Sequence, residues 1–233
     1  MSNTSSKSGP ITVELSSLAS GGSCVGTISA PEELAGKKAF IPYTIPGEVV
    51  EAQITRGKRS YVEASLVSIQ RASSRRVAPT CPVFGSCGGC DLQHIELHEQ
   101  RVLKAQMVQD LLRIHGGIEA QEGVSLLAPD LPGFDYRRRM SFHLNKKGEF
   151  GLYRKHGRSI VEISRCPIST STINSFLEGN IELVKSCAPE IETVTVEDHD
   201  GVVYLALEIH PKNFSGLDTL LPKAAFRELE KRI

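Results

Sequence analysis

Three cysteines, Cys81, Cys87 and Cys90, crowd into ten residues, CPVFGSCGGC (81–90), with the spacing C-x5-C-x2-C. A fourth, Cys166, stands 76 residues further on, in SRCPIS. Residues 1–10, MSNTSSKSGP, lack the apolar stretch of a secretory signal. The expected setting is therefore the cytoplasm, a reducing compartment where lasting disulfides are rare and crowded thiols mean a metal or redox site. Soft thiolates select zinc or iron–sulfur. A [4Fe-4S] cluster needs four of them and gains from N–H donors around its sulfides. Gly85, Gly88 and Gly89 let the backbone wrap tightly and turn its N–H groups inward. Zn2+ also takes four ligands, but usually from two Cys-x2-Cys pairs, and here there is one. Spacing alone ranks cluster, zinc and free or redox-active thiols in that order and leaves all three open. Cys24 and Cys187 read as ordinary small residues. His94, His98, His143 and His156 show neither triad nor metal spacing, and His94 is expected only to cover the cysteine loop.

Charge supplies the second candidate surface. The chain of 233 residues balances 27 basic against 27 acidic side chains, so its net charge announces no partner. The distribution does: residues 137–165 carry 9 basic and 2 acidic residues, a block of +7 between segments at −5 on either side. Arg137, Arg138 and Arg139 open it, Lys146 and Lys147 lie on the next turn, and Arg154, Lys155 and Arg158 on the one after. Turn-tip cations on adjacent hairpins are expected to gather into one phosphate-facing patch of the kind that holds RNA. Arg56, Lys58 and Arg59 form a smaller cluster nearer the N-terminus. Phe142 and Tyr153, inside the block, are read as core residues rather than stacking platforms.

The elements that must position these residues are short. ITVEL (11–15), VGTIS (25–29), KAFIP, EVVEAQIT (48–55) and SYVEASLVSI (60–69) read as five strands. Five strands in about 60 residues close more easily than they stay open, since closure removes exposed edges, so an OB-like barrel is expected. Arg56, Lys58 and Arg59 fall on its last hairpin loop. ASSRRVAPT (72–80) reads as a linker. Residues 94–115 predict a helix with Ile95, Val102, Ala105, Val108, Leu111 and Leu112 at helical spacing, stopped by Gly116–Gly117. RRMSFHL (138–144), GEFGLY (148–153) and SIVEI (159–163) predict strands. Residues 168–186 predict a helix with Ile173, Phe176, Leu177, Ile181 and Val184 at helical spacing. IETVTVE and VVYLALEI predict a hairpin across DHDG (198–201), and residues 219–232 a last helix. The fold class is α+β, divided into a barrel (1–72), a linker with the cysteine loop (73–93) and a central α+β domain (94–233). No apolar run is long enough for a membrane span.

These residues resemble the bacterial RNA uracil-5-methyltransferase family. Residues 11–70 look like its TRAM domain, especially IPYTIPGEVVEAQITR (41–56). CPVFGSCGGCDLQH (81–94) looks like its cluster segment, and EQRVLKAQMVQDLL continues the match. YRRRMSFHL (136–144) and EISRCPIS (162–169) resemble its central region. The resemblance implies that Cys81, Cys87, Cys90 and Cys166 hold a [4Fe-4S] cluster, which moves iron–sulfur well ahead of zinc. It also implies methyl transfer from S-adenosylmethionine (SAM) to C5 of uracil in RNA, by a nucleophilic cysteine and a base. No Gly-rich nucleotide loop follows a strand here, and no Pro-Cys segment near a C-terminus offers the nucleophile. Cys187, in KSCAPE, lacks that context. The expectation is an N-terminal and central portion whose Rossmann-like catalytic domain is absent from the chain. Its partner would be structured RNA, ribosomal rather than transfer RNA, with SAM bound only by a full-length enzyme. A free-standing RNA-binding iron–sulfur accessory protein and a zinc-stapled interaction protein are the alternatives.

Overall fold

The computed structural model describes residues 9–119, 123–126, 130–186 and 191–209. Cys187 and the helix expected over 219–232 lie outside them. The chain forms two compact units. The first takes residues up to Pro79 and Asp91–Asp130, the second Thr80–Cys90 and everything from Leu131.

In the first unit, β1 (Ile11–Leu18), β2 (Ser23–Ala30), β3 (Lys38–Pro42), β4 (Val49–Gly57) and β5 (Tyr61–Arg71) close into a barrel in the order β1-β2-β3-β5-β4. The expected five-stranded barrel is thus present. Alternation explains it: Ile11, Val13 and Leu15 on β1, Ala39 and Ile41 on β3, and Val62 and Ala64 on β5 all point inward and are buried. Only β3 and β5 run parallel. Gly26 permits the tight β1–β2 crossing, because a Cβ there would overlap the Glu14 carbonyl.

Helix α1 (Leu97–Gly116) ends as its glycines predict. Gly117 takes a left-handed φ of 63°, and the Ile118 N–H bonds the Leu112 carbonyl at 3.2 Å. Two expectations fail here. The helix belongs with the barrel, so the boundary at residue 94 is misplaced. The expected apolar stripe is also not the buried one. Leu103 and Met107, one turn apart, pack on the barrel core with Leu92, whereas Val102, Val108 and Leu112 are exposed. The helix meets the barrel along a single i, i+4 row, and its apolar residues are too spread around the axis for more than one row to be covered.

The second unit is an antiparallel sheet of β6 (Arg139–Leu144), β7 (Phe150–Tyr153), β8 (Ile160–Glu162), β9 (Ile191–His199) and β10 (Val202–Ile209), ordered β10-β9-β6-β7-β8. Helix α2 (Ser171–Ser186) lies on one face, and its Ile173, Phe176, Leu177 and Val184 share a core with Met140, Phe142, Leu144, Phe150, Val194 and Val196. Phe142 stacks on Phe150 with centroids 5.2 Å apart. Tyr153 departs from its expected core role: it stacks on His143 at 3.7 Å, and His143 alternates with the buried Phe142 and Leu144. Tyr153 therefore belongs to the opposite, polar face. Among the described residues no helix is long and apolar enough to cross a membrane.

Candidate functional site

The cysteine loop is built around a short ladder. Gly88 N–H donates to the Tyr153 carbonyl at 3.0 Å, and Lys155 N–H to the Ser86 carbonyl at 3.1 Å, so that Cys87 pairs with Arg154 across an antiparallel bridge. The end of β7 thereby fixes the loop. Gly88 eases this contact, because a Cβ would stand 3.3 Å from the Tyr153 carbonyl and 3.4 Å from Lys155 Cα. Gly85 takes a φ of 84°, where glycine carries no steric penalty. Before it, the Phe84 N–H bonds the Cys81 carbonyl and the Cys87 N–H the Val83 carbonyl, a turn that brings Cys87 back toward Cys81. The Gly89 N–H points at Cys87 Sγ, 3.4 Å away, which bears out one inward-turned donor.

Cys166 follows β8, the strand next to β7, and shares the core cluster of Cys87. Residues 135–137 bond the carbonyls of Pro167 and Ile168, and Thr170 N–H returns the bond to Arg137. A side chain that spacing did not single out then locks the turn. Asn174, 4% exposed, accepts the Cys166 N–H at 2.9 Å and donates to the carbonyls of Cys166 (3.1 Å) and Ser169 (3.2 Å). Thr170 caps α2 just before it, its hydroxyl accepting from Ile173 N–H. Beside this turn a cavity of about 630 Å³ is lined by Val83, Phe134, Ile163, Ser169 and Asn174.

All four cysteines belong to this unit; Cys87 lies within electrostatic reach of Cys81 and Cys90, and Cys166 of Cys81 and Cys87. Burial pushes the Cys87 thiol up, as do Cys90 and Cys81 beside it, against the Gly89 N–H and the Arg137 charge. Burial likewise raises Cys166, against the N–H groups of Ile168 and Ser169, with Cys81 and Cys87 adding to the rise. Burial raises the Tyr136 hydroxyl, as do the nearby Cys90 and Cys166, against the Arg137 charge. Gathered thiols that oppose each other's ionisation are a donor set for a cationic centre, since metal binding is what releases their protons. None of Cys24, Cys81, Cys87, Cys90 and Cys166 is joined in a disulfide. Cys24 stands apart in the barrel core: burial pushes it up to about 12, and its Sγ–H donates to the Thr44 carbonyl.

Among the described residues no three His, Cys, Asp or Glu side chains are gathered as the ligands of a single metal ion.

The basic residues do not form one patch. β6 and β7 are antiparallel, His143 opposite Gly151, so Arg137–Arg139 and Arg154–Arg158 share one end of the hairpin. Lys146 and Lys147, on the turn after Leu144, sit at the other end, about 16 Å away along β6. The expectation of one gathered patch is corrected accordingly. Arg137, Arg154 and Lys155 flank the cysteine loop itself. Arg138 pairs with Asp200 and Arg139 with Glu197, both at 3.0 Å; both arginines are solvent-exposed, so salt screens the pairs and a phosphate can compete for them. Arg56, Lys58 and Arg59 are exposed at the β4–β5 loop of the barrel, in the other unit.

His94 does not cover the loop by its side chain. It is buried in the barrel unit, with Nε2 3.1 Å from the Thr44 carbonyl. Nor is 72–80 a featureless linker. Arg76 forks onto the fully buried Glu48 at 2.8 and 2.7 Å and also donates to the Tyr43 carbonyl. Val77 and Glu96 N–H groups bond the His94 and Arg75 carbonyls, zipping 75–77 to 94–96. The three loop cysteines therefore ride on an excursion whose base is pinched shut.

Residues 10–67, most of the barrel, match the TRAM domain. The chain is 36% identical over 153 residues to the 23S rRNA (uracil(1939)-C(5))-methyltransferase RlmD of Halomonas elongata, covering 65% of this chain and 32% of that one. Against RlmD of Legionella pneumophila it is 34% identical over 178 residues, covering 72% and 40%. In fold it is similar to the Pyrococcus abyssi tRNA (uracil-54, C5)-methyltransferase solved with S-adenosyl-L-homocysteine. The TM-score is 0.60 at 16% identity, over 90% of this chain and 49% of that one. The chain is thus a relative of the RNA uracil-5-methyltransferases, and it spans about a third to two fifths of the length of the curated relatives it matches.

Proposed function

We propose that this chain is the RNA-gripping, cluster-bearing portion of a SAM-dependent 23S rRNA (uracil-5-)-methyltransferase of the cytoplasm. The observation that carries it is the cysteine loop zipped by main-chain bonds to the strand end that presents Arg154 and Lys155, with Cys166 brought to the same unit by Asn174. Cys81, Cys87, Cys90 and Cys166 would hold a [4Fe-4S] cluster, which supplies a structural cross-link between loop and sheet; uracil methylation from SAM consumes no electron. The chain's own residues do the rest. Arg137, Arg154 and Lys155 neutralise phosphates beside the loop, Arg138 and Arg139 exchange their carboxylates for RNA, and Arg56, Lys58 and Arg59 take a second stretch of backbone on the barrel. The SAM site and the nucleophilic cysteine belong to the remainder that the relatives carry beyond the shared portion.

The test is anaerobic purification of the chain followed by iron and sulfide analysis. The expected result is a brown protein with iron and sulfide in equal amounts, four of each, and loss of both in Cys87→Ser and Cys166→Ser. A colourless chain carrying one tightly held zinc would overturn the cluster. Failure to bind ribosomal RNA fragments at low salt would overturn the RNA role.

A further inference from the structure

The cavity of about 630 Å³ beside the Cys166 turn lies within the second unit, and none of the four cysteines lines it. Its size is that of a small-molecule pocket, and so are its walls. Pro82, Val83, Phe134, Ile163 and Pro167 make them largely apolar. Ile163 is buried and Val83 packs against the core of the unit, so this part of the wall is fixed. The backbone on the other side is paired. Asp135 N–H donates to the Pro167 carbonyl at 3.0 Å, and Arg137 bridges to Ser169 in parallel, so residues 135–137 and 167–169 run side by side along the cavity.

Two polar groups on this paired wall have no partner among the described residues. Ser169 is 1% exposed, and its hydroxyl makes no hydrogen bond. Buried hydroxyls are usually bonded, because giving up water without a replacement is unfavourable. Asp135 is the second. The other charges that line the cavity are matched, Arg165 by Glu178 at 3.1 Å and Glu162 by Lys185 at 3.4 Å. Asp135, open to solvent, is the lining charge left without an ion-pair partner among the described residues. The parallel bridge of Arg137 to Ser169 sets Asp135 two residues from Ser169, roughly 7 Å along the strand direction.

A free carboxylate is answered by an ammonium, and Phe134 next to Asp135 offers its ring to the same cation. A hydroxyl at the far end of the ligand answers Ser169, and the apolar walls take the body between the two ends. A phosphate does not fit, because the unmatched charge is negative; the cavity is no extension of the basic RNA-facing surfaces. We propose that the cavity beside the Cys166 turn binds a small organic amine with an apolar body and a hydroxyl tip, the ammonium on Asp135 and the hydroxyl on Ser169. The site is separate from the RNA contacts, and each can fail without the other.

Tyramine, which separates an ammonium from a phenol by a ring and two methylenes, is the probe for calorimetric titration of the full chain. Saturable binding at one site per chain is expected. Phenethylamine lacks the hydroxyl and para-ethylphenol lacks the amine, and each is expected to bind about fivefold more weakly. Phloretate, with a carboxylate in place of the ammonium, is expected not to bind. Asp135→Asn keeps a side chain that tolerates the left-handed φ of 56° at this position. It is expected to weaken tyramine about fivefold and to leave para-ethylphenol unchanged. Ser169→Ala is expected to weaken tyramine to a similar extent and to leave phenethylamine unchanged. It does not lower the melting temperature, since the hydroxyl has no partner to lose. Absence of saturable tyramine binding overturns the site. Equal affinity for phloretate overturns it too, as does tyramine binding that neither substitution changes. If tyramine binds and ribosomal RNA does not, the amine site stands and the RNA reading falls; the reverse result removes the amine site alone.

Discussion

Asn174 does for Cys166 what the glycines do for Cys87: it fixes the backbone that aims the sulfur. Its amide meets the N–H and the carbonyl of Cys166 at once. Replacing it with leucine leaves both groups buried without partners, at about 1–3 kcal/mol for each unsatisfied group. Asn174→Leu is therefore expected to lower the urea midpoint of the second unit and to reduce the iron retained per chain, while the barrel's transition stays put. The cysteines themselves were legible from type and spacing alone, because few roles call for three thiols in ten residues. Asn174 was not, because an asparagine in the first turn of a helix reads only as ordinary capping chemistry, and its partner Cys166 is eight residues back. Cys24 is a contrasting thiol. With its pKa pushed up to about 12 and its side chain fully buried, it stays protonated, and iodoacetamide is expected to spare it in the folded chain and modify it after unfolding.

Among the elements, α1 and the pinched stem carry the tests. If Leu103 and Met107 hold α1 to the barrel, Leu103→Asp destabilises the first unit by about 2–4 kcal/mol, as burying an unpaired carboxylate in place of a packed leucine requires. Val108→Asp, on an exposed position, changes the melting temperature little. The stem predicts a pH response. Burial alone would raise Glu48, but the forked Arg76 and the N–H groups of Ser73 and Ile45 outweigh it and hold the carboxyl below its usual range. Its contribution is full above the unfolded value of about 4.3 and is lost as pH falls through the lower folded value. Burial depresses His94 too, with Arg76 nearby, against the Thr44 carbonyl and the carboxylates of Glu48 and Asp91. The unfolded chain therefore takes up that proton first, and this contribution begins to fade below about 6.5. Barrel stability is expected to decline in two stages on acidification, and His94→Gln to flatten the upper one in a pH series of thermal melts. Arg76→Met strands Glu48 and costs about 3–5 kcal/mol at neutral pH. The strands and α2 were legible because their periodicity reports burial, whereas in α1 it marked the helix but not the face that packs. The stem was hidden, since Glu48 and Arg76 are 28 residues apart and neither lies on an apolar pattern.

At the scale of the whole molecule, zero net charge conceals two basic surfaces, one in each unit. Binding of single-stranded RNA should therefore weaken as salt rises despite the neutral chain. Each phosphate-neutralising cation adds about 0.7 to the log–log slope. Neutralising Arg137, Arg154 and Lys155 together is expected to reduce that slope by roughly 2, whereas Lys146→Ala with Lys147→Ala, at the far end of the hairpin, leaves it nearly unchanged. Local charge density was readable along the chain, but which turns share an end of the sheet depends on strand order, which composition does not encode. The expected break at residue 94 missed for a related reason: the units are interleaved, residues 80–90 leaving the first to join the second before the chain returns.

That interleaving sets a clock during synthesis. The three loop thiols leave the ribosome 76 residues ahead of Cys166, a gap of about 4 to 15 s at ordinary elongation rates. Through that interval the growing polypeptide exposes three of the four thiols: the stem closes once Glu96 has emerged and β6 and β7 follow, while Cys166 and Asn174 come last. Nascent chains arrested before Cys166 should show rapidly alkylated Cys81, Cys87 and Cys90, and completed chains should not. The proposed cluster would thus be completed only late in translation, since any metal that arrives earlier meets three sulfurs instead of four.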